Sequence, residues 1–132
     1  MTAEPRWIPR RAVEAIHSGQ LREHGGLPGI RDENALESAL ARARQKHHDD
    51  PEADLALLGA AYGFALARSH AFNDGNKRIA FLTMVSFLGI NGQELDASEV
   101  DVVTVMIEVA SGQRSEEQLA EWLRSRLVPY RG

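Results

Sequence analysis

Two stretches of this chain, 55–69 and 76–88, carry apolar residues on nearly every side of a helical turn. In the first, Leu55, Leu57, Leu58, Ala60, Ala61, Phe64, Ala65 and Leu66 leave no continuous polar face. In the second, Ile79, Phe81, Leu82, Met84, Val85, Phe87 and Leu88 do the same. A helix that is apolar all round must be enclosed by other protein or by lipid. The longest apolar-rich run, 79–90, is too short to cross a bilayer and contains Thr83 and Ser86, so no membrane partner is expected. The two segments are therefore expected to form a central up-down hairpin wrapped by amphipathic helices. Gly59 and Gly63 would let a second helix approach closely, although each glycine costs about 1 kcal/mol in a helix.

The remaining sequence supplies the wrapping. A first helix is expected over about 9–24, with Val13, Ile16 and Leu21 on one face, and Gly25-Gly26-Leu27-Pro28-Gly29 ends it. Asp32 is a good N-cap for a second helix over about 33–45, and Asp54 for the first central one. His47-His48-Asp49-Asp50-Pro51 reads as a polar break. Gly89 marks the end of the fourth helix, and Asn91-Gly92 is a turn that could seat a small hairpin. Ser98 with Asp101 opens a fifth helix bearing Val102, Val105, Met106 and Val109. Ser115 with Gln118 is a capping box for a sixth bearing Leu119, Trp122, Leu123 and Leu127. The fold class is all-α, a bundle of about six helices in a single domain over 1–132, a length suited to one core.

Composition narrows the class further. At 43% apolar and 26% charged residues with 5 prolines, the chain is globular. It has no cysteine, which excludes disulfides and thiolate zinc sites. Met1-Thr2-Ala3-Glu4-Pro5 lacks the apolar run of a signal peptide, and a cytoplasmic location is the expectation. A net charge of −4 argues against nucleic acid as the main partner. The basic groups Arg6, Arg10, Arg11 and Arg42, Arg44, Lys46 read as solvated helix faces.

The chemistry lies where the two central helices join: His70-Ala71-Phe72-Asn73-Asp74-Gly75-Asn76-Lys77-Arg78. A plain helix–helix connection needs Gly, Asn or Asp, but not His, Asp, Lys and Arg together. A helix N-terminus presents unpaired N–H groups and about half a positive charge, which suits phosphate. Gly75 allows close backbone approach, and Asn76 can cap the helix or donate to a phosphate oxygen. Lys77 and Arg78 oppose the helix dipole unless an anion is bound. Asp74 can hold Mg²⁺ between phosphates, and His70 is suited to take a proton from a hydroxyl nucleophile. Phe72 is expected to enter the core and fix the loop. Base, metal ligand, anion cradle and cations are the parts of a phosphoryl-transfer site.

This nine-residue run closely resembles the motif of the Fic/Doc family in its Doc (death-on-curing) form. The fuller Fic pattern has Gly where Lys77 stands and a second Arg where Phe81 stands, and both departures match Doc toxins. Likeness extends to the segments 25–32, 36–40 and 87–92. The resemblance implies His70 as general base, Asp74 as the Mg²⁺ ligand, and Asn73, Gly75, Asn76, Lys77 and Arg78 as nucleotide or phosphate contacts. It implies ATP and Mg²⁺ as cofactors and, as activity, phosphorylation of a protein hydroxyl, with elongation factor Tu as the expected substrate and translation arrest as the result. AMPylation is the alternative, and a catalytically weak regulatory partner a further one. It also implies a separate antitoxin as partner. An inhibitory Ser/Thr-x₃-Glu-Gly/Asn helix is met only in part, by Thr104 and Glu108 followed by Val109, so inhibition in trans is expected.

Other eye-catching residues have plainer readings. His47-His48 is expected in a polar loop, and His17 and His24 as surface or capping groups. Trp7 and Trp122 are read as core anchors between the terminal helices. The glycine-rich segment 25–29 is chiefly a turn that can border a target groove, and Arg68, just before His70, is a weaker candidate for lining the cleft.

Overall fold

The computed structural model describes residues 4–131. Six helices follow in order: α1 (Arg10–His24), α2 (Glu33–Asp49), α3 (Leu55–Ser69), α4 (Asn76–Ile90), α5 (Glu99–Ser111) and α6 (Glu116–Arg126). Two short strands, β1 (Gln93–Leu95) and β2 (Leu127–Pro129), pair antiparallel with Leu95 opposite Leu127. Among the described residues no helix is long and apolar enough to cross a membrane.

The two apolar helices form the expected central hairpin. α3 packs on α2, α4, α5 and α6, and α1 lies against α4. Its glycines make the approach possible: a Cβ on Gly63 would sit 2.6 Å from Met84 Sδ, and one on Gly59 3.1 Å from Leu88 Cδ2. Four helices start where an N-cap side chain accepts a backbone N–H. These are Asp32 from Ala35, Asp54 from Leu57, Ser98 from Asp101, and Ser115 from Gln118 with the full capping box.

Several boundaries move. α2 does not stop at Gln45 but runs on through His47 and His48, which are therefore helical and not in a loop. Lys46, His47 and His48 suit a helix C-terminus, and Trp7 packs edge-on against His47 at 5.6 Å. α4 passes through Gly89 to Ile90. Asn91 ends it, donating its carboxamide to the carbonyls of Phe87 (2.8 Å) and Arg6 (3.0 Å). The Asn91-Gly92 turn leads into β1, but the partner strand comes from the chain's end, so no hairpin forms there. Leu127 accordingly leaves α6 for β2.

Trp7 stacks on Phe87 with ring centroids 5.9 Å apart, whereas Trp122 lies under Arg126, so each anchors separately. The basic groups are also more engaged than their sequence clustering suggests. Arg10 pairs with Glu14, Glu33 and Glu37. Arg42 and Lys46 both reach Glu116, a carboxylate only 4% exposed at the start of α6. Arg44 lies over the Trp7 ring.

Candidate active site

The motif occupies the tip of the hairpin. His70 is the C-cap of α3 and takes left-handed φ/ψ of 52° and 36°, the one described non-glycine residue with positive φ. That conformation is uncommon for a side-chain-bearing residue, and such backbone concentrates at functional sites. The residue is exposed, so it stands at the surface and not within the core.

From His70 the chain turns inward. Ala71 and Phe72 are buried, and an isolated antiparallel bridge joins Phe72 to Ile30 in the segment after α1. The backbone N–H groups of Arg31 and Asp32 donate to the Ala71 carbonyl at 2.8 and 3.1 Å, and Asn73 N–H to the Gly29 carbonyl at 3.2 Å. Asn73 also donates its side chain to the Pro28 carbonyl at 2.9 Å. The glycine-rich turn is thus stitched along the motif.

Asp74 is exposed, and each carboxylate oxygen accepts one backbone N–H: Oδ1 from Gly75 at 2.9 Å and Oδ2 from Leu27 at 3.3 Å. Two accepted bonds leave roughly half of a carboxylate's lone-pair sites free. Gly26 comes so close that a Cβ there would meet Asp74 Oδ2 at 2.7 Å, and its φ of +117° already favours glycine. Gly26→Ala is therefore expected to swing the Asp74 carboxylate away and to add about 1–2 kcal/mol of backbone strain. Thermal melts check this, the variant melting below wild type.

Gly75 is the N-cap of α4 with φ of 78°; Asp74 takes its N–H, and it has no side chain of its own to cap the amides that follow. Asn76 does something other than cap or face outward. Its Oδ1 accepts the Phe72 N–H at 3.0 Å and its Nδ2 donates to the Phe72 carbonyl at 2.9 Å. Its carboxamide is occupied in holding the loop closed. Lys77 and Arg78 are exposed in the first turn, and neither pairs with a carboxylate among the described residues.

Asp74, Gly75 and Arg78 share a cleft of about 180 Å³ with His17, Gln20 and His24 of α1. His70, Asn73 and Lys77 stand outside it, and so does Arg68, which stacks over Phe64 at 5.4 Å. A larger cavity, about 630 Å³, is lined by Asp54, Leu55 and Asn91. It lies at the other end of the α3–α4 hairpin, about 20 Å away along helices of this length, and contains none of this chemistry.

His17 is the residue whose place the sequence does not announce. It is 6% exposed, stacks on Phe72 with centroids 4.2 Å apart, and brings Nε2 within 3.2 Å of the Asp74 carbonyl. It is not a surface group. A signal existed, because Val13, His17 and Leu21 recur every four residues on one stripe of α1. His24 is exposed at the end of that helix, as expected.

The chain matches one family and is similar to two named proteins. The family described as Fic/DOC matches residues 7–88, which includes the whole motif. A protein named Protein kinase doc, from Escherichia phage P1, is 35% identical over 120 residues, spanning 90% of this chain and 94% of its own. Toxin Doc of Mycolicibacterium smegmatis (strain ATCC 700084 / mc(2)155) is 40% identical over 79 residues, 59% of this chain and 60% of that protein. With its motif loop, the whole of α3 and α4 as far as Leu88 inside the matched span, the chain belongs to the Fic/DOC family.

Proposed function

We propose that the chain is a Doc-like toxin that transfers the terminal phosphoryl group of ATP to a hydroxyl of a protein substrate, with elongation factor Tu the expected target. The observation that carries this reading is the start of α4. Its amides have no side-chain cap, its first turn holds two cations with no carboxylate partner among the described residues, and an exposed carboxylate and an exposed histidine flank it. A helix start carrying Lys77 and Arg78 is electrostatically unfavourable until an anion arrives, and phosphate groups supply one.

The donor set also fits a magnesium ion. Mg²⁺ is commonly bound by one or two carboxylates plus phosphate oxygens, not by a protein cage. Asp74 retains free lone pairs, and no group of three or more candidate ligands clusters among the described residues. Asp74 would hold the ion, which when bound neutralises charge on the phosphates. Gly75 and the α4 amides, with Lys77 and Arg78, bind and orient the phosphate tail. The cleft is smaller than the roughly 300–1,000 Å³ of an ordinary ligand pocket, so it suits phosphates and leaves the nucleoside over the open surface. A ring nitrogen of His70 takes the proton of the substrate hydroxyl. The hydroxyl oxygen bonds to the γ-phosphorus, the bond from that phosphorus to the β–γ bridging oxygen breaks, and ADP departs.

Two features favour the terminal phosphorus over the inner one. Lys77 adds bulk and charge beside the loop, and Phe81 is an apolar residue packed against the core, so no second arginine follows on α4. Inhibition falls to a separate antitoxin. Glu108 is engaged by Arg114 at 2.8 Å and Thr104 donates to the Val100 carbonyl, so neither is disposed as an inhibitory element.

Purified protein incubated with elongation factor Tu and ATP labelled at the γ or the α position decides the matter. Label from γ alone, with the mass of one phosphoryl group added to the substrate, is the expected result. Label from α alone makes the protein an AMPylase, and label from neither leaves a binding partner.

A further inference from the structure

We infer that His17 is a positioning residue for the phosphate-binding loop, its Nε2–H holding the Asp74 carbonyl and thereby fixing the peptide that joins Asp74 to Gly75. This rests on the functional reading above for its catalytic consequence, but not for its geometry.

A ring nitrogen 3.2 Å from a carbonyl oxygen makes a hydrogen bond only if it carries the proton, because the carbonyl can only accept. The neutral ring is therefore the Nε2–H tautomer. Phe72 stacks on the ring at 4.2 Å and 29°, restricting its rotation. In a trans peptide the carbonyl and the following N–H point to opposite sides. An Asp74 carbonyl turned toward α1 therefore aims the Gly75 N–H away from it, where Asp74 Oδ1 takes it at 2.9 Å. Leu27 N–H, just beyond the end of α1, holds the other oxygen. The carboxylate and the N-cap of α4 are thus clamped from one side, by α1 and the turn that follows it.

Packing alone does not call for histidine here. Val13 is fully buried on the same stripe, and an apolar side chain would fill the site without burying a polar group. The imidazole is the member of that stripe able to donate to the motif. A loop displaced by about 1 Å can cost a reaction a hundredfold, so the bond bears on turnover.

Two variants separate donor from shape. His17→Gln keeps an N–H near the place of Nε2; His17→Phe keeps a stacking ring and lacks the donor. Proton–nitrogen correlation spectra of the wild-type imidazoles, assigned with the variants, are expected to show His17 protonated at Nε2. Calorimetry with ATP and Mg²⁺ and steady-state phosphorylation are expected to show His17→Phe folded but with kcat down about tenfold or more and binding weakened. His17→Gln should keep both within about threefold of wild type. A wild-type Nδ1–H tautomer overturns the inference. So does a Phe variant equal to wild type, or a folded Gln variant as impaired as Phe. If His17→Phe does not fold, the tautomer and the Gln variant decide. If wild type transfers no phosphate, the functional reading falls, while the tautomer and the binding contrast still judge His17.

Discussion

Replacing His70 with alanine is expected to lower kcat by about 10²–10⁴-fold, the range lost with a positioned general base, and to leave the fold intact. The two halves of that expectation come from different observations. The chemistry follows from the place of an imidazole at the mouth of a loop that presents a carboxylate, uncapped amides and two cations. The intact fold follows from exposure: His70 is at the surface, and its ring makes no hydrogen bond among the described residues. Surface changes away from strained backbone usually stay within about 0.5 kcal/mol, and the left-handed φ of 52° is the one feature that sets this site apart. The left-handed backbone gives a sharper control. His70→Asn keeps a side chain that tolerates positive φ and removes the imidazole, so it should melt with wild type and be as inactive as His70→Ala. Growth arrest on expression should vanish with both. Activity retained in either variant would remove His70 from the mechanism, and inactivity with loss of folding would mean that the residue is structural.

The hairpin and the caps were legible in the sequence because each depends on nearby residues. Apolar residues on every side of 55–69 leave a helix no choice but the centre, and Asp32, Asp54, Ser98 and Ser115 each satisfy an N–H three residues on. What escaped depends on distant partners. His47 stays helical beside Trp7, forty residues earlier in the chain, so the polar break begins at Asp50 and not at His47. Strand β1 exists because the chain's last described segment returns to pair with it. Within the site, the residue types of the motif were readable, but their division of labour was not. Asn76 turns its carboxamide back onto Phe72, and His17 reaches in from a helix more than fifty residues away. A polar residue on an apolar stripe, as His17 is between Val13 and Leu21, was the cue in the sequence to a partner elsewhere.

The largest effect on stability is expected at Glu116, far from the chemistry. This carboxylate is 4% exposed and accepts from Arg42 Nε at 2.6 Å, Arg42 Nη2 at 2.8 Å and Lys46 Nζ at 2.8 Å, tying α6 to α2. Burial by itself would raise its pKa, but the hydrogen bonds from Arg42 and Lys46 outweigh that and hold the carboxyl below its ordinary 4.5. Glu116→Ala leaves two cations without their acceptor. Breaking a fully buried pair costs about 3–5 kcal/mol, but the Arg42 side chain is 45% exposed and can rehydrate, which places the loss nearer 2–3 kcal/mol. For a chain of this size that corresponds to a Tm lower by about 8–15 °C. The sign of the pH dependence follows from the direction of the shift. A carboxyl harder to protonate when folded than when unfolded contributes stability that is fully present above pH 4.5 and is lost as pH falls through the lower folded value. Asp54, held low by Arg124, acts in the same direction but is half-exposed, so its share is small. Denaturant melts of wild type and Glu116→Gln from pH 7 down to pH 3 separate the two: wild type should lose stability below about pH 4.5, and the Gln variant, which keeps an acceptor but cannot ionise, should start lower and fall less steeply. Parallel curves would show that the buried carboxylate's charge contributes nothing to holding α6 on α2.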